Sequence, residues 1–385
     1  MQSVISQVII LLYRIRGVIS RVWDRIRRWP PVAAISTWVE NSLWNSSRAE
    51  KKEKPAGIFL HSLFRSGSTY LFNTFRSRKG YWCYYEPLHH QLVQIREGRL
   101  DVFSFSREAT GNMGHPDLHR PHFQEFSVVL RKGRVPLYNP GMAYREFARV
   151  KQHARLFKYI LMLLENAPEG TIPLLQLNRS SLRIGWFRKY FPNSLHLYLL
   201  RNNRDQFESY YRMKKGHKYN IFLAVNLYVV AVNRDYGKFA EAYAQYRDRY
   251  RPSANFYRDM ALLGGLSGEI DPAVHYLVFL HLWITSLIEA DKHADAILDM
   301  NRLSDSPSYR SSFVSMLRER IDVDPQMFDD SRIREYDRYS LDEQTMLQVE
   351  DGVAAAYGDE LAAMEYEIPF NFGTTGFGRS EGRRT

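Results

Sequence analysis

The chain has 385 residues, 45% of them hydrophobic and 14% aromatic, enough for one large α/β domain or a domain with an insertion. A formal net charge of +11 favours anionic partners: acidic lipid, a polyanionic small molecule or nucleic acid. The single cysteine, Cys83, excludes an intrachain disulfide and favours a reducing compartment.

The N-terminal stretch "VISQVIILLYRIRGVISRVWDRIRRW" starts with an apolar run too short to span a bilayer, and no positive charge precedes it. Arg14, Arg21, Arg25 and Arg28 fall on one helical face, with Ile15, Val18, Ile19, Val22 and Ile26 largely elsewhere. Two readings stand open: a basic amphipathic helix lying on an anionic membrane, or a helix packed on its own domain with a solvated basic edge. Residues 45–56, "NSSRAEKKEKPA", are polar and charged and read as a linker. The expected division is therefore 1–56 as N-terminal segment and linker, 57–365 as the main domain, and 366–385 as a glycine-rich basic tail. That tail is either a frayed end or a loop that folds over a bound ligand.

Within the main domain the expected order begins with a strand at 57–64, a glycine-containing loop, a helix from about 68 to 78 and a strand at 81–85. Residues 88–97 read as helical and 98–140 as irregular loops. A long helix over 142–166 follows. Then come a strand at 171–177, a helix at 181–190, a strand at 194–200 and a helix from 204. The pattern over 217–293 is mostly helical, and a strand at 296–300 precedes a helix at 308–320. No internal repeat and no long low-complexity tract stands out. Strands alternating with helices predict an α/β fold: a parallel sheet covered by helices, with helical C-terminal additions.

The loop after the first strand, "LFRSGSTYLF" (63–72), sits where a phosphate-cradling loop would. Aligned on the Walker A pattern, Ser68 stands where lysine belongs, and the cation is displaced to Arg65. Backbone N–H groups at the helix start still suit an anion, and Gly67 permits close approach. The missing lysine weakens the case for a magnesium nucleotide triphosphate. The segment "LHLYLLRNNRDQFESYY" (195–211) then offers a strand-end arginine, Arg201, and Ser209 on the next helix. That pair is a bidentate fork plus a hydroxyl, suited to a second anionic group. Asn203 and Gln206 are candidate caps of that helix.

These segments resemble the two cofactor-binding motifs of sulfotransferases that use 3′-phosphoadenosine 5′-phosphosulfate. The loop resembles the 5′-phosphosulfate loop in its arginine form, and residues 201–209 resemble the 3′-phosphate motif, with Asn203 in place of its usual proline. "YYEPLHH" (84–90) is similar to a segment of carbohydrate sulfotransferases. The three matches cover about residues 57–211. The resemblance implies a P-loop-type sulfotransferase fold and a donor cradled by Arg65, Ser66, Gly67, Ser68, Thr69, Tyr70, Arg201 and Ser209. It implies a catalytic set of Glu86 as general base, Arg65 and Arg179 as cations, and His89 (or His90) as alternative base or acceptor-binding residue. The other role open to Glu86 is a structural salt bridge to Arg65, and Arg179 reads equally as a surface residue. The implied acceptor is a carbohydrate or glycolipid hydroxyl, with Tyr81, Trp82 and Tyr138 as candidate sugar-stacking rings. The implied setting is cytoplasmic, with peripheral membrane contact through the N-terminal helix and no nucleic acid. No metal is expected: His115, His119 and His122 are interrupted by Pro116 and Pro121. Two other classes remain open, a P-loop phosphotransferase and a non-enzymatic polyanion-binding protein.

Overall fold

The computed structural model describes residues 56–100, 121–211, 220–253, 255–333, 340–368 and 372–373. The chain divides into two compact units, Met1–Glu53 and Lys54–Thr385, and all described residues belong to the second. The N-terminal amphipathic segment, His115, His119 and the basic end of the tail lie outside them.

Short apolar runs form the sheet: β1 Ile58–Ser62, β2 Tyr81–Tyr84, β3 Ile172–Leu177, β4 Leu195–Leu200 and β5 Ala296–Asp299. All five are parallel, in the order β2-β3-β1-β4-β5. Their nearly unbroken apolar sequences follow from cover on both faces. In β4, Tyr198 and Leu200 join a core containing Tyr276, Phe279 and Trp283. Leu195, Leu197 and Leu199 join another containing Phe72, Phe75 and Ile160. The protein is thus a mixed α/β structure with a five-stranded all-parallel sheet flanked by helices.

The strand order sets the site. The chain leaves β1 toward β2 on one side of the sheet and leaves β4 toward β5 on the other, while β1 and β4 are neighbours. Adjacent strand ends whose connections diverge form the crevice where open α/β sheets bind ligands. Arg65 and Arg201 both emerge there, just beyond Ser62 and Leu200.

Two local expectations are corrected. The helix expected over 142–166 is interrupted: a turn at Gly141–Tyr144 is separate from the helix His153–Glu165. Between them the buried Glu146 carboxylate accepts from the Lys151 and Gln152 amides at 3.0 and 3.4 Å and from Gln152 Nε2 at 3.0 Å. Arg183 donates to the carbonyls of Met142 and Glu146. Side chains that recruit the backbone this way compete with helical bonding. Residues 88–97 hold only a 3₁₀ turn, His90–Gln94. The helix Pro272–His293 is apolar and long enough to cross a membrane, yet 72% of its apolar window is buried against the chain's own core. Its face carries Tyr276, Phe279 and Trp283, all fully buried.

Beneath the strand ends lies a chain of buried imidazoles. His61 Nδ1 is 2.6 Å from Ser180 Oγ, and its Nε2 is 3.1 Å from Nδ1 of His196. Nε2 of His196 lies 3.0 Å from the Phe191 carbonyl. Burial, then mutual repulsion, holds His61 well below the usual histidine range. Burial brings His196 down to about 4, partly offset by the Phe191 carbonyl. The unfolded chain therefore binds protons that the folded one refuses, and the stabilisation present above pH ~6.5 is lost as pH falls toward 4. For His196 alone the loss between pH 7 and 5 should be about 2 kcal/mol. Urea unfolding at the two pH values should show that drop shrinking by this amount in His196→Gln. An unchanged drop would mean that His196 is not held neutral.

Candidate functional site

The loop between β1 and the helix Ser68–Arg76 has φ of +62° at Arg65 and +94° at Gly67. Alternating left-handed residues turn successive N–H groups toward one concavity, a backbone arrangement that suits anions. Arg65 pays for it sterically, since it is not glycine. Gly67 is needed for its φ; a Cβ there would also meet Met300 Cε at 3.1 Å, a contact that the flexible methionine would have to yield to. No side chain caps the helix start at Gly67. Ser66 is fully buried, and its Oγ has no hydrogen-bond partner among the described residues. Ser68 Oγ accepts from Gln176 Nε2 of β3 at 2.9 Å. Thr69 hydrogen-bonds the Tyr85 hydroxyl. Tyr70 is half-buried against the core, its hydroxyl 2.8 Å from Ser331 Oγ.

The second motif grips this loop directly. Nη1 of Arg201 donates to the Arg65 carbonyl at 3.1 Å. Nε of Arg65 donates to Ser209 Oγ at 2.9 Å, and Gln206 Nε2 donates to the Phe64 carbonyl at 2.6 Å. Trp283 Nε1 donates to the Arg201 carbonyl at 3.1 Å, and Phe372 stacks on that indole at 5.9 Å. Phe372 and Ile368 are buried, so the tail expected from 366 is packed at its beginning. The helix Asn203–Tyr211 is capped by Asn202, whose Oδ1 accepts from the Arg204 and Asp205 amides at 3.0 and 3.2 Å. Asn203 and Gln206, the expected caps, instead tie the helix to Tyr276, Glu350 and the loop.

A third group forms where β2 and β3 end. Glu86, at a strained φ of +39°, is buried. Its Oε1 accepts from Asn178 Nδ2 at 3.0 Å, and its Oε2 pairs with Arg179 Nη1. Asn178 Oδ1 in turn accepts from Ser62 Oγ at 2.6 Å, at the foot of the loop. The salt bridge considered for Glu86 thus exists, with Arg179 in place of Arg65. Arg179 is no surface residue: its side chain is 4% exposed, lies over the rings of Phe64 and Tyr144, and donates from Nη2 to the Tyr144 hydroxyl at 2.9 Å. Burial pulls its guanidinium down to about 9, with the Tyr85 hydroxyl acting the other way. It stays cationic at neutral pH.

The two histidines separate. His89 is a cap: its Nδ1 accepts from the Gln91 amide at 3.2 Å and its carbonyl from the Tyr138 hydroxyl at 2.7 Å. His90 Nδ1 lies 3.4 Å from the Tyr144 hydroxyl, which joins it to Arg179 and Glu86. Burial pushes His89 well below the usual range and His90 down to about 4, so both are neutral at pH 7. Tyr144, absent from the sequence expectations, carried no signal there because its role arises from a contact made across the fold. Of the proposed stacking rings, Tyr138 is buried against Tyr159. Tyr81 packs on Phe75 and bonds the Asp322 carbonyl at 2.6 Å. His122 packs against Tyr85. Among the described residues no group of three or more His, Cys, Asp or Glu side chains is arranged to hold a metal. No protein-family model, no curated protein and no solved structure matches the chain.

Proposed function

We propose that the protein is a sulfotransferase of the P-loop type, moving a sulfuryl group from 3′-phosphoadenosine 5′-phosphosulfate to a hydroxyl of a carbohydrate or glycolipid in the cytoplasm. The observation that carries the reading is the junction at Arg65, whose carbonyl takes Arg201 and whose side chain takes Ser209. On this reading the two motifs form two anion cradles in one crevice, as a donor with phosphate groups on two sides of one ribose requires. The helix start without a side-chain cap and the buried Ser66 hydroxyl, which has no partner among the described residues, fit the 5′ group. The donor supplies an activated sulfuryl group, and the protein's task is positioning and charge stabilisation, as in phosphoryl transfer. The amides of Gly67, Ser68 and Thr69 orient the 5′ end, with Tyr70 flanking them, while Arg201 and Ser209 hold the 3′-phosphate. Arg65 meets charge on the departing oxygen. Glu86, with Arg179 holding its carboxylate in place, takes the acceptor proton. The loop has Ser68 where a P-loop nucleotide site would want its lysine, which disfavours a phosphotransferase.

The test is thermal unfolding with matched concentrations of 3′,5′-bisphosphoadenosine and 5′-AMP. The bisphosphate should stabilise more, because a hydrogen-bonded charged contact adds about 1.5–3 kcal/mol of binding. Arg201→Ala should erase the difference. Equal shifts in the wild type would sink the assignment, and magnesium-dependent ATP turnover would replace it with the phosphotransferase reading.

A further inference from the structure

Two short stretches repeat one another, against the expectation of no internal repeat. Val93-Gln94-Ile95-Arg96-Glu97-Gly98-Arg99-Leu100 and Val128-Val129-Leu130-Arg131-Lys132-Gly133-Arg134-Val135 share the order Val, any residue, aliphatic, Arg, any residue, Gly, Arg, aliphatic. Each grows out of a 3₁₀ turn, His90–Gln94 or Gln124–Val129. Each closes as a tight two-residue hairpin, with reciprocal backbone bonds between Arg96 and Arg99 (3.2 and 2.9 Å) and between Arg131 and Arg134 (2.9 and 3.1 Å). Gly98 and Gly133, each the second central residue of its turn, have φ of +75° and +68°; in the second hairpin the first central residue, Lys132, is left-handed as well, at +49°. The two units are neighbours: the Phe123 amide donates to the Leu100 carbonyl at 3.3 Å, and the Phe123 ring lies 6.0 Å from His89.

The corresponding valines share an uncommon property. Among the described residues the exposed large hydrophobic side chains are Val93, Val128, Leu137, Tyr257 and Leu262. Val93 is 37% exposed and Val128 39%, and Leu137, at 39%, follows the second hairpin directly. Around them Arg96, Arg99, Arg131, Lys132 and Arg134 are exposed, and among the described residues of the two hairpins one acidic residue, Glu97, is exposed with them. Arg96 donates from Nη1 to the carbonyls of Val93 and Ile95 at 2.8 and 2.6 Å, bracing the turn below its valine.

We propose that these paired arginine hairpins are a docking surface for an anionic lipid bilayer. The cations match a negative surface, and the valines and Leu137 match its acyl boundary. A soluble polyanion would use the arginines and leave the three exposed aliphatic side chains without a purpose, so lipid accounts for both features. The inference is independent of the sulfuryl-transfer reading, since it needs neither the donor nor the acceptor.

Flotation of the full chain with vesicles tests it. The wild type should float with phosphatidylcholine vesicles that contain phosphatidylglycerol and stay behind with phosphatidylcholine alone. Arg99→Gln/Arg131→Gln/Arg134→Gln should weaken partitioning on the order of 100-fold, because each basic residue near the surface contributes about a factor of five. Val93→Ser/Val128→Ser should weaken it about tenfold while leaving retention on heparin unchanged. All these side chains are exposed, and matched thermal melts confirm folded variants. If partitioning is unchanged in both variants, the hairpins are not the docking surface. If the valine variant binds vesicles like wild type while the arginine variant loses vesicles and heparin alike, the surface reads a polyanion and the lipid proposal fails.

Discussion

Glu86→Gln is expected to slow sulfuryl transfer by ~10²–10⁴-fold while donor affinity stays within a few-fold of wild type. Glutamine keeps the size but cannot take a proton. The ion pair with Arg179 adds a second consequence. The carboxylate accepts on both oxygens, from Asn178 and from Arg179. A glutamine amide has one acceptor oxygen, so its NH₂ must face one of two donors. Breaking a buried ion pair from one side costs about 3–5 kcal/mol. Urea unfolding must therefore accompany the kinetics. The two roles separate by pH: if Glu86 is the base, the acidic limb of the kcat profile disappears in Glu86→Gln even for the folded fraction. If Glu86 mainly orients Arg179, Arg179→Ala should reproduce the loss with the wild-type profile shape retained. Near-normal turnover in Glu86→Gln would remove it from the chemistry. The candidate base would then be His90, which reaches the pair through Tyr144, in preference to the capping His89.

The sheet was legible because each strand is a short apolar run between turn residues, and burial on both faces makes such runs conspicuous. The strand, loop and helix around Gly67 were legible for a local reason too: a glycine and serines between an apolar run and a helical pattern mark a turn. What stayed hidden depends on contacts between distant parts of the chain. Arg179 was visible as a residue at a strand end, but its partner was not, because β2 reaches β3 only after the strand order is known. The cap of the second-motif helix was placed one residue late. Asn202 and Asn203 are chemically identical, and only the fold decides which side chain turns back to the helix and which turns to Glu350. The break near Glu146 was hidden for the same reason, since apolar periodicity continues through it while Arg183 pulls its carbonyls out of the helical pattern. Glu350 itself lies on a helix, Glu343–Ala356, that the sequence reading did not include.

Glu350→Ala is expected to destabilise the fold by about 3–5 kcal/mol, the cost of leaving a buried charge without its partner. Glu350 has no exposed surface. Its carboxylate accepts from Arg204 Nε and Nη2 at 2.7 and 2.6 Å, from Asn203 Nδ2 at 2.8 Å and from the Gly373 amide at 3.2 Å. The Tyr276 hydroxyl donates to it as well. The hydrogen bonds that Arg204 donates to Glu350 are the largest influence raising its guanidinium above the ordinary value. Arg204 and Asn203 open the helix that carries Ser209, and Gly373 follows the ring stacked beside Arg201's indole partner. One carboxylate thus ties the second motif to the C-terminal part of the chain. Removing it should loosen that helix as well as lower global stability, so affinity for 3′,5′-bisphosphoadenosine should fall with it. Arg204→Met/Glu350→Leu should recover part of the lost stability, because it removes both charges together. It should not recover nucleotide affinity, since the helix remains untied. If Glu350→Ala changed urea stability by less than about 1 kcal/mol, the hub would be solvated in solution and its role in holding Ser209 would fall with it.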